Sequence, residues 1–463
     1  MGSKESTMLV MKFGGTSVGS ASRFQQVLKL VQTNWQSGNK PVVVLSAVAG
    51  VTNGLIECGQ LSVKRNLPAA LEQLAKLKEK HLEIIKDLFS TPQPPALLAE
   101  VDAAFGQIDI LLRGISYLGE LSKRSVDAVS GFGELLSSRI FAAYANLNGL
   151  PTEWMDARQF LITDETFGRA NPDWAEIIPK TKASLNPILE KNRCVVTQGF
   201  IGSTADGVST TLGRGGSDFS ASIIGVALHA SEIQIWTDVD GMMTADPRLV
   251  PDATVLDQVS FQEASELAYF GAKVLHPLTI KPAVEKSIPV RILNTTKPDR
   301  KGTLITESPA KNDATICSIA SKKGLTAVFI HSPRMLMAHG FLAKVFDIFA
   351  RYETSIDLIA TSEVSVSLTI DRTDELDRIK DALSELGDVN IMHRVAIVTV
   401  VGRQFRQQSG IAGQIFSALS KINIIMISGG ASDINVSCVV NEEDADKAIK
   451  QLHHEFFPAV ITA

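Results

Sequence analysis

Two glycine-rich turns in this chain of 463 residues contain side chains that could bind phosphate or carboxylate groups. The first turn, KFGGTS (12–17), begins with the last two residues of the apolar strand-like run MLVMKF (8–13). Glycines after a strand let backbone N–H groups approach phosphate oxygens, and Lys12 adds a positive charge. The turn contains neither the P-loop pattern nor the GxGxxG pattern of dinucleotide folds. It therefore suggests a phosphate contact of another kind, although a tight strand–helix turn with an exposed lysine would explain it almost as well.

The second turn, TLGRGGSD (211–218), precedes a predicted helix over 218–229. It combines accessible backbone with the guanidinium of Arg214, which can bind a carboxylate or a phosphate through two parallel hydrogen bonds. Ser217 or Asp218 could simply cap the helix. An arginine surrounded by three glycines has no comparable structural explanation, so this turn favours a binding function.

The elements that must position these turns alternate between strand and helix. Short runs rich in Val and Ile are bounded by Gly, Pro or polar residues and separated by helical patterns, which predicts an α/β fold with a mainly parallel open sheet and helices on both faces. Residues 69–89 and 96–150 are predicted to be mainly helical, with a break at 91–95, and to form a helical subdomain or cap. The predicted strands are 8–13, 41–47, 194–201, 232–239 and 289–295.

The chain beyond Lys311 contains an internal repeat with an offset of 70 residues. GFLAKVF (340–346) aligns with GIAGQIF (410–416), and SEVSVS (362–367) aligns with SDINVS (432–437). Each copy has the order strand, glycine, helix, strand, strand, helix, which predicts two small repeated α/β domains. The second copy lacks chain for a closing strand, and the strand 314–321 could fill that place. We therefore expect the two copies to be interleaved.

Composition is that of a soluble globular protein, with 45% apolar residues, 21% charged residues and a net charge of -5. This balance argues against a disordered chain and against an extended nucleic-acid surface. The four cysteines are far apart and lack a CxxC pattern, so they are predicted to be buried thiols in a reducing compartment. No apolar run approaches the roughly 20 residues that span a bilayer, and the polar start is no secretory signal, so we expect a cytoplasmic protein.

Eight motifs in the same order along the chain resemble those of the aspartate kinases, which belong to the amino acid kinase superfamily. The resemblance extends from about residue 9 to 460, and KFGGTS together with TTLGRGGSD is specific to aspartokinases within that superfamily. The motifs are KFGGTS (12–17), LSAVAGVTN (45–53), GELLSSR (133–139), QGFIG (198–202), TTLGRGGSD (210–218), WTDVDGMMTADPR (236–248), FGAKVLHP (270–277) and SEVSVSLT (362–369).

The resemblance implies a monofunctional, lysine-sensitive aspartokinase with an amino acid kinase domain at 8–306. Two ferredoxin-like βαββαβ ACT domains are then expected at 325–394 and 395–460, the second completed by strand 314–321. The implied reaction transfers the γ-phosphoryl group of ATP to the side-chain carboxylate of L-aspartate, giving 4-phospho-L-aspartate for lysine, threonine and methionine synthesis. Because the acceptor is ionised at neutral pH, no general base is needed, and Mg²⁺ is expected on the nucleotide phosphates without a protein metal site.

The resemblance also implies roles for individual residues. Met243 stands where relatives often have tyrosine, so its contact with adenine is the weakest of these expectations. The implied catalytic residues are Lys12, Asp218 and Lys273. The implied aspartate-binding residues are Thr52, Glu134, Arg214 and Ser217. The implied ATP-binding residues are Lys12, Gly14, Gly15, Thr237, Asp238, Met243, Arg248, Lys273 and Val274.

We expect lysine to be the feedback inhibitor and to act through the first ACT copy. Ser355 and Asp357 in that copy correspond to Ile425 and Ile427 in the second, so only the first has polar groups where an amino acid would bind. ACT domains usually pair edge to edge, which implies a homodimer or a higher homo-oligomer. The expected effector residues are Met335, Gly340, Phe341, Leu342, Ser355, Asp357, Ser362 and Glu363.

Two other functions are compatible with the same residues. The chain could phosphorylate a different amino-acid carboxylate, or it could be an inactive amino-acid sensor.

Outside the motifs, His453 and His454 are predicted to lie on a solvated helix face. Lys76, Lys78 and Lys80 are predicted to lie on an exposed charged helix.

Overall fold

The computed structural model describes residues 7–90, 92–270, 275, 277–307, 315–336, 338–430 and 432–458. These residues form two compact units. The first contains the described residues of 1–242, 257–261 and 274–309, and the second those of 243–256, 262–273 and 310–463. Among the described residues, no helix combines the length and the apolar character needed to cross a membrane.

The first unit is built on a sheet whose strands follow the order β3-β4-β2-β1-β7-β9-β10-β8. Neighbouring strands are parallel except β9 and β10, which confirms the mainly parallel sheet predicted from the sequence. A separate antiparallel pair joins β5 to β6. The strands are β1 (Met8–Phe13), β2 (Lys40–Leu45), β3 (Thr152–Trp154), β4 (Cys194–Gln198), β5 (Ile201–Ser203), β6 (Ser209–Thr211), β7 (Glu232–Thr237), β8 (Gln258–Ser260), β9 (Val290–Asn294) and β10 (Thr303–Thr306).

Helices cover both faces of this sheet. Alternate residues of β1 explain the arrangement, since Met11 and Phe13 join the large apolar cluster on one face while Val10 is equally buried on the other. The helices of the first unit are α1 (Ala21–Gln36), α2 (Val51–Val63), α3 (Leu67–Leu88), α4 (Pro95–Leu118), α5 (Lys123–Ser130), α6 (Phe132–Leu147), α7 (Trp174–Glu190), α8 (Gly216–Leu228) and α10 (Pro277–Glu285). Helix α9 (Phe261–Phe270) belongs, except for Phe261, to the second unit.

The helical block predicted between the strands is present as α3 to α6. Its apolar side chains pack into the same cluster as α1 and the sheet, so it forms part of the core of the first unit. The exposed charged face predicted on α3 is wrong for Lys80, which is partly buried and donates a hydrogen bond to the Ala49 carbonyl at 2.6 Å. This contact holds the loop that precedes α2.

The second unit contains a six-stranded sheet in the order β12-β13-β11-β14-β16-β15, with antiparallel neighbours. The elements follow the repeat found in the sequence, and each copy has a glycine with positive φ before its first helix, Gly340 at +76° and Gly410 at +86°. They are β11 (Ile316–His331), α11 (Phe341–Arg351), β12 (Leu358–Thr361), β13 (Ser365–Ile370), α12 (Leu376–Ser384), β14 (Asp388–Gly402), α13 (Ile411–Ala418), β15 (Ile424–Gly429), β16 (Asn435–Asn441) and α14 (Ala445–Phe456).

Two long strands run through both halves of this sheet, where the sequence had suggested separate short strands. In β11, residues 326–331 pair with β13, while residues 316–322 pair with the far end of β14, next to β16. The register shifts between Lys322 and Thr326, where Gly324 has φ +75°, and Arg394 in β14 has φ +58°. Such an irregularity bends a strand without ending it, so one strand can serve two apolar cores.

His453 departs from the solvated helix face predicted for it. Its side chain is buried, and its Nε2 lies 3.0 Å from the Thr244 hydroxyl within the second unit. Burial lowers the pKa of His453 below its ordinary value. The helix periodicity places His453 beside Ala448 and Leu452 on the apolar side of α14, whereas His454 faces solvent.

His81 in α3 provides a test of the packing in the first unit. Its ring is fully buried, its Nδ1 lies 2.7 Å from the Leu77 carbonyl, and it packs edge-on against Phe105 of α4. Burial lowers its pKa to about 4, so the folded protein binds this proton less readily than the unfolded chain. Stability from this residue is therefore present above about pH 6.5 and is lost as the pH falls towards 4.

We predict that His81→Leu gains stability relative to the wild type as the pH is lowered, by at most about 3 kcal/mol between pH 6.5 and 4. Urea unfolding at several pH values measures the difference. His339→Leu, at an exposed position, serves as the control and should show no such trend. A difference for His81→Leu that stays constant with pH would contradict the assignment.

Candidate active site

A buried ion pair joins the two glycine-rich turns of the sequence. Lys12 lies near the end of β1 and Asp218 in the first turn of α8, and their side chains meet at 2.6 Å with only 11% and 12% exposed. Because little water competes with this pair, it holds the Lys12 ammonium at the carboxyl edge of the parallel sheet. The structure thus places the predicted phosphate-binding lysine and its predicted organising acid in direct contact.

Glycines let the start of α8 approach the sheet closely. Gly213 and Gly215 have φ of +76° and +71°, a conformation that other residues rarely adopt. Gly199 follows β4, and a Cβ atom there would lie 2.6 Å from the Ser217 Cβ. Any larger residue at position 199 would push the beginning of α8 away from the strand. These glycines therefore fix where Arg214, Ser217 and Asp218 lie.

The turns border a cleft of about 410 Å³ in the first unit. Its lining contains residues that are more than 200 positions apart in the sequence, since the carboxyl ends of parallel strands lie at one edge. Seven residues predicted to act on aspartate or phosphate line it: Lys12, Gly15, Thr52, Glu134, Arg214, Ser217 and Asp218.

Glu134 supplies a buried acid to this cleft. It lies in the first turn of α6, it is 3% exposed, and its Oε2 atom has no hydrogen-bond partner among the described residues. Burial raises the pKa of Glu134 to about 8, although a hydrogen bond from the Ala47 backbone and the charge of Lys12 both lower it. An unpartnered buried carboxyl group is complementary to a cation such as an ammonium group.

Lys12 and Arg214 give the same cleft its positive charge. Arg214 is exposed and lies beside the start of α8, where backbone N–H groups also favour anions. The cleft also contains Asp218, but this acid is paired with Lys12. Arg214 and Glu134 therefore remain for the carboxylate and the ammonium of an amino acid, and the Lys12 ammonium lies close enough to attract a further anionic group. The charges of the cleft therefore match an acidic amino acid.

Phe200 and the loop 46–50 also line the cleft, and neither was predicted from the sequence to have a role there. Phe200 has φ +68°, and a Cβ atom on Gly216 would lie 2.7 Å from its ring. The motif QGFIG could have marked Phe200, because Gly199 and Gly202 near it suggest a tight turn. The loop is held by Ser137, which donates to the Ser46 carbonyl at 2.8 Å, and by Lys80.

Asp127 is a second residue that the sequence analysis missed. It is 1% exposed and accepts hydrogen bonds from the Gly168 and Thr211 backbone amides and from the Thr211 hydroxyl. These contacts hold the strand β6 that leads directly into Gly213 and Arg214. No local motif marks Asp127, because its partners lie 41 and 84 residues away.

The residues predicted to bind ATP are described only in part. Gly14 donates its backbone N–H to the Trp236 carbonyl at 3.2 Å. Gly14 therefore lies beside the end of β7, whose last residue is Thr237 and which is followed by Asp238. Met243 and Arg248 belong to the second unit, where Met243 bridges to Val255 and Arg248 pairs with Asp246 at 2.6 Å. Lys273 and Val274 lie outside the described residues.

A polar cluster beyond Thr237 was not anticipated from the sequence. Asp240 accepts a hydrogen bond from the Asn294 amide and pairs with Lys297 at 2.9 Å, at the carboxyl ends of β7 and β9. The bond from Lys297 lowers the pKa of Asp240. The described residues contain no group of three or more His, Cys, Asp or Glu side chains suited to a metal ion.

The residues predicted to bind an effector lie around the start of α11 and the strand β12. Gly340 precedes α11, Phe341 is buried, and Met335 and Leu342 pack against the core of the first repeat. Ser355, Ser362 and Glu363 are exposed. In the second repeat Ile427 is 50% exposed, so the aliphatic residues at the equivalent positions do not fill the core.

Asp357 is not open to a ligand in the way that the sequence analysis expected. Its side chain is only 2% exposed, and its Oδ1 lies 2.6 Å from the ammonium of Lys322. Tyr269 donates its hydroxyl to the same oxygen at 2.7 Å. The predicted ammonium-binding acid is therefore already paired with an ammonium from the chain itself.

Comparisons with known proteins agree with the geometry. The profile of the amino acid kinase family matches residues 7–294, and an ACT domain profile matches residues 398–456. The lysine-sensitive aspartokinase 3 of Escherichia coli strain K12 is 37% identical, over 98% of this chain and all of its own length.

Two crystal structures of E. coli aspartokinase III extend this similarity to the fold. The complex with aspartate and ADP, called the R-state, has a TM-score of 0.85 and 36% identity, covering 97% of this chain and 100% of its own. The complex with lysine and aspartate, called the T-state, has a TM-score of 0.82 and 36% identity, covering 97% and 99%. With a cleft suited to an acidic amino acid and a second unit built from a repeated ACT-like motif, the chain belongs to the aspartokinases of the amino acid kinase family.

Proposed function

We propose that the cleft binds L-aspartate and that its side-chain carboxylate receives the γ-phosphoryl group of ATP. The observation that carries this proposal is the charge pattern of the cleft, in which Arg214 and the Lys12–Asp218 ion pair accompany the buried acid Glu134. Arg214 binds the α-carboxylate, and Glu134 binds the α-ammonium once its own proton has left. Thr52 and Ser217 add hydrogen bonds to the substrate.

The reaction depends on position and charge. The acceptor carboxylate is ionised, so no side chain has to remove a proton from it. Lys12 directs its ammonium at the group in transfer, and Asp218 holds that ammonium in place through the 2.6 Å ion pair. The amino end of α8 lies at the same site and favours negative charge there. Asp218 is a positioning residue for Lys12 in this mechanism.

ATP is assigned to the side of the sheet end formed by Gly14, Gly15, Thr237 and Asp238. The roles of Lys273, Val274, Met243 and Arg248 stay predictions that rest on the resemblance to the family. The glycine turn after β1 supplies backbone amides of the kind that bind phosphate. Mg²⁺ would neutralise charge on the nucleotide phosphates and would be held mainly by them. Asp218 is already paired with Lys12, so the chain is assigned no metal ligand of its own.

Lysine is proposed as the feedback inhibitor, bound by the first repeat at Gly340, Phe341, Leu342 and Asp357. The E. coli relative is named lysine-sensitive, and its solved T-state contains lysine. The backbone amides at the start of α11 suit a ligand carboxylate, since no side chain caps that helix. A homodimer formed through the ACT repeats and a cytoplasmic location are further proposals.

A hydroxamate assay tests the reaction directly. Purified protein is incubated with L-aspartate, ATP, Mg²⁺ and hydroxylamine, which traps an aspartyl phosphate as aspartyl hydroxamate. N-acetyl-L-glutamate and L-glutamate are tested in parallel as acceptors. Product from aspartate alone supports the proposal, product from another acceptor assigns a different carboxylate kinase, and no product from any acceptor supports an inactive sensor.

We predict that Lys12→Ala lowers kcat by about 10²- to 10⁴-fold, because the variant loses a charge directed at the transferring phosphoryl group. Steady-state kinetics in the hydroxamate assay measure the loss, and circular dichroism checks the fold. Lys29→Ala, at an exposed position of α1, is the matched control. A kcat within tenfold of the wild type would remove Lys12 from its assigned role.

We predict that kcat/KM for aspartate falls as the pH is lowered below about 8, approaching tenfold per pH unit. The folded pKa of Glu134 is raised to about 8, so the carboxyl is mostly protonated below that value and must lose its proton to bind an ammonium. Glu134→Gln should have a high KM for aspartate and lack this slope. A profile for the wild type that is flat between pH 6.5 and 8 would contradict the assignment.

We predict that Asp357→Ala raises the lysine concentration for half inhibition at least tenfold, since the variant loses the acid that pairs with the ligand ammonium. Inhibition curves with lysine and with threonine measure the change. Asp381→Ala, which removes an exposed acid from α12 of the same repeat, should behave as the wild type. Unchanged lysine inhibition in Asp357→Ala would refute the assignment of this residue.

A further inference from the structure

The carboxylate of Asp357 is surrounded by groups of the chain itself. The side chain of Asp357 is only 2% exposed, and one of its carboxylate oxygens contacts both Lys322 and Tyr269. The other oxygen, Oδ2, is buried without a hydrogen-bond partner in the described part of the chain. Removing the partner of a buried charge is strongly destabilising, so the Asp357 carboxylate needs a cation beside it.

The ammonium of Lys322 is held by three groups. It lies 2.6 Å from Asp357, 3.0 Å from Asp371 and 5.1 Å from the ring centre of Tyr269. Two carboxylates and an aromatic face are the groups that proteins use to bind a ligand ammonium. Lys322 therefore occupies a site whose chemistry suits the side chain of a free lysine.

Lys322 remains charged in this position. Burial lowers its pKa, but the hydrogen bonds to Asp357 and Asp371 and their charges more than offset this effect, so the net shift is upward. Burial and the neighbouring Asp357 raise the pKa of Tyr269, so its hydroxyl keeps the proton that it donates. The two contacts to Asp357 are thus a stable cation and a stable hydrogen-bond donor.

Tyr269 belongs to helix α9, whose side chains contact residues in and beside the six-stranded sheet of the second unit. Glu263, Glu266 and Tyr269 of α9 are spaced by three residues and lie on the same side. Glu263 is 1% exposed and pairs with Arg403 at 2.6 Å, while Glu266 accepts a hydrogen bond from Asn435. Tyr269 completes the row through Asp357 and stands four residues before Lys273, a predicted ATP contact.

We propose that Lys322 is a tethered competitor for the effector ammonium at Asp357, and that Tyr269 couples the outcome of this competition to helix α9. The inference rests on the proposed role of lysine at this site. An incoming ammonium exchanges with that of Lys322, which can turn to Asp371. The effector affinity is then set by the difference between the two ion pairs, and a change at Asp357 alters the hydrogen bond that anchors Tyr269.

Substitutions of Lys322 with opposite expected effects test the competition. Lys322→Met keeps the aliphatic stem and removes the competitor, so L-lysine should bind the full-length protein at least fivefold more tightly by isothermal titration calorimetry. Lys322→Arg strengthens the competitor through a bidentate pair, so L-lysine should bind at least fivefold more weakly. Lys323→Met is the matched control, because Lys323 pairs with the half-exposed Asp446 and should leave the affinity unchanged.

A purely structural role for Lys322 predicts a different pattern. Damage to the site would weaken lysine binding in both Lys322→Met and Lys322→Arg, and that result would overturn the competition. Equal affinities in the wild type and both variants would overturn it as well. If the wild type forms aspartyl hydroxamate but neither binds nor responds to lysine, the proposed effector fails, and this inference fails with it.

The coupling through Tyr269 has a separate measurement. Tyr269→Phe keeps the ring beside Lys322 and removes only the hydroxyl that donates to Asp357. The variant should bind lysine within threefold of the wild-type affinity or more tightly, while the maximal inhibition at saturating lysine is reduced at least twofold. Tyr117→Phe, at a residue that is 84% exposed, is the control. Full inhibition in Tyr269→Phe would exclude the coupling.

Discussion

The ion pair between Lys12 and Asp218 is the contact on which the geometry of the candidate active site depends. It connects a central strand of the parallel sheet to the first turn of α8, and both partners are largely removed from water. Loss of one member of such a pair leaves the other charge buried, which typically costs about 3–5 kcal/mol. The start of α8 is therefore fixed relative to β1, and the backbone of Arg214 and Ser217 is fixed with it.

The close approach of α8 also explains the glycines around it. Gly199 and Gly216 lie where a side chain would collide with Ser217 or with Phe200, and Gly213 and Gly215 adopt a left-handed backbone. Asp127 holds the preceding strand from the other side through the Thr211 backbone and hydroxyl. The turn is thus determined by contacts at both of its ends, which leaves the exposed Arg214 as the side chain that can adjust to a substrate.

The sequence predicted those features that have a local pattern. The parallel sheet followed from five apolar runs, and the cleft followed from two glycine-rich turns whose positions at strand ends imply a common edge. The repeat at an offset of 70 residues gave the elements of the second unit, because each copy repeats its glycine and its strand pattern. It could not show that β11 and β14 run unbroken through both halves, since bends at Gly324 and Arg394 look like ends of strands in a sequence.

Contacts between distant residues had no such pattern. Asp127 binds residues 41 and 84 positions away, and Lys322 reaches Asp357 over 35 positions, so only the folded chain brings these groups together. The errors for Lys80 and His453 have the same origin. Each lies in an amphipathic helix near its polar border, where the periodicity does not decide between solvent and a tertiary partner.

Glu134 and Asp357 are two buried acids that are neutralised in different ways. Glu134 has an oxygen without a partner and a pKa near 8, so a proton neutralises it in the empty cleft at neutral pH. Asp357 is neutralised by Lys322, whose pKa is raised above its ordinary value. The proposed binding at Glu134 would therefore exchange a proton for an ammonium, whereas the proposed binding at Asp357 would exchange one ammonium for another. The proposed affinity for aspartate would then vary with pH near neutrality, while the proposed effector affinity would be set by the geometry of Lys322, Asp371 and Tyr269.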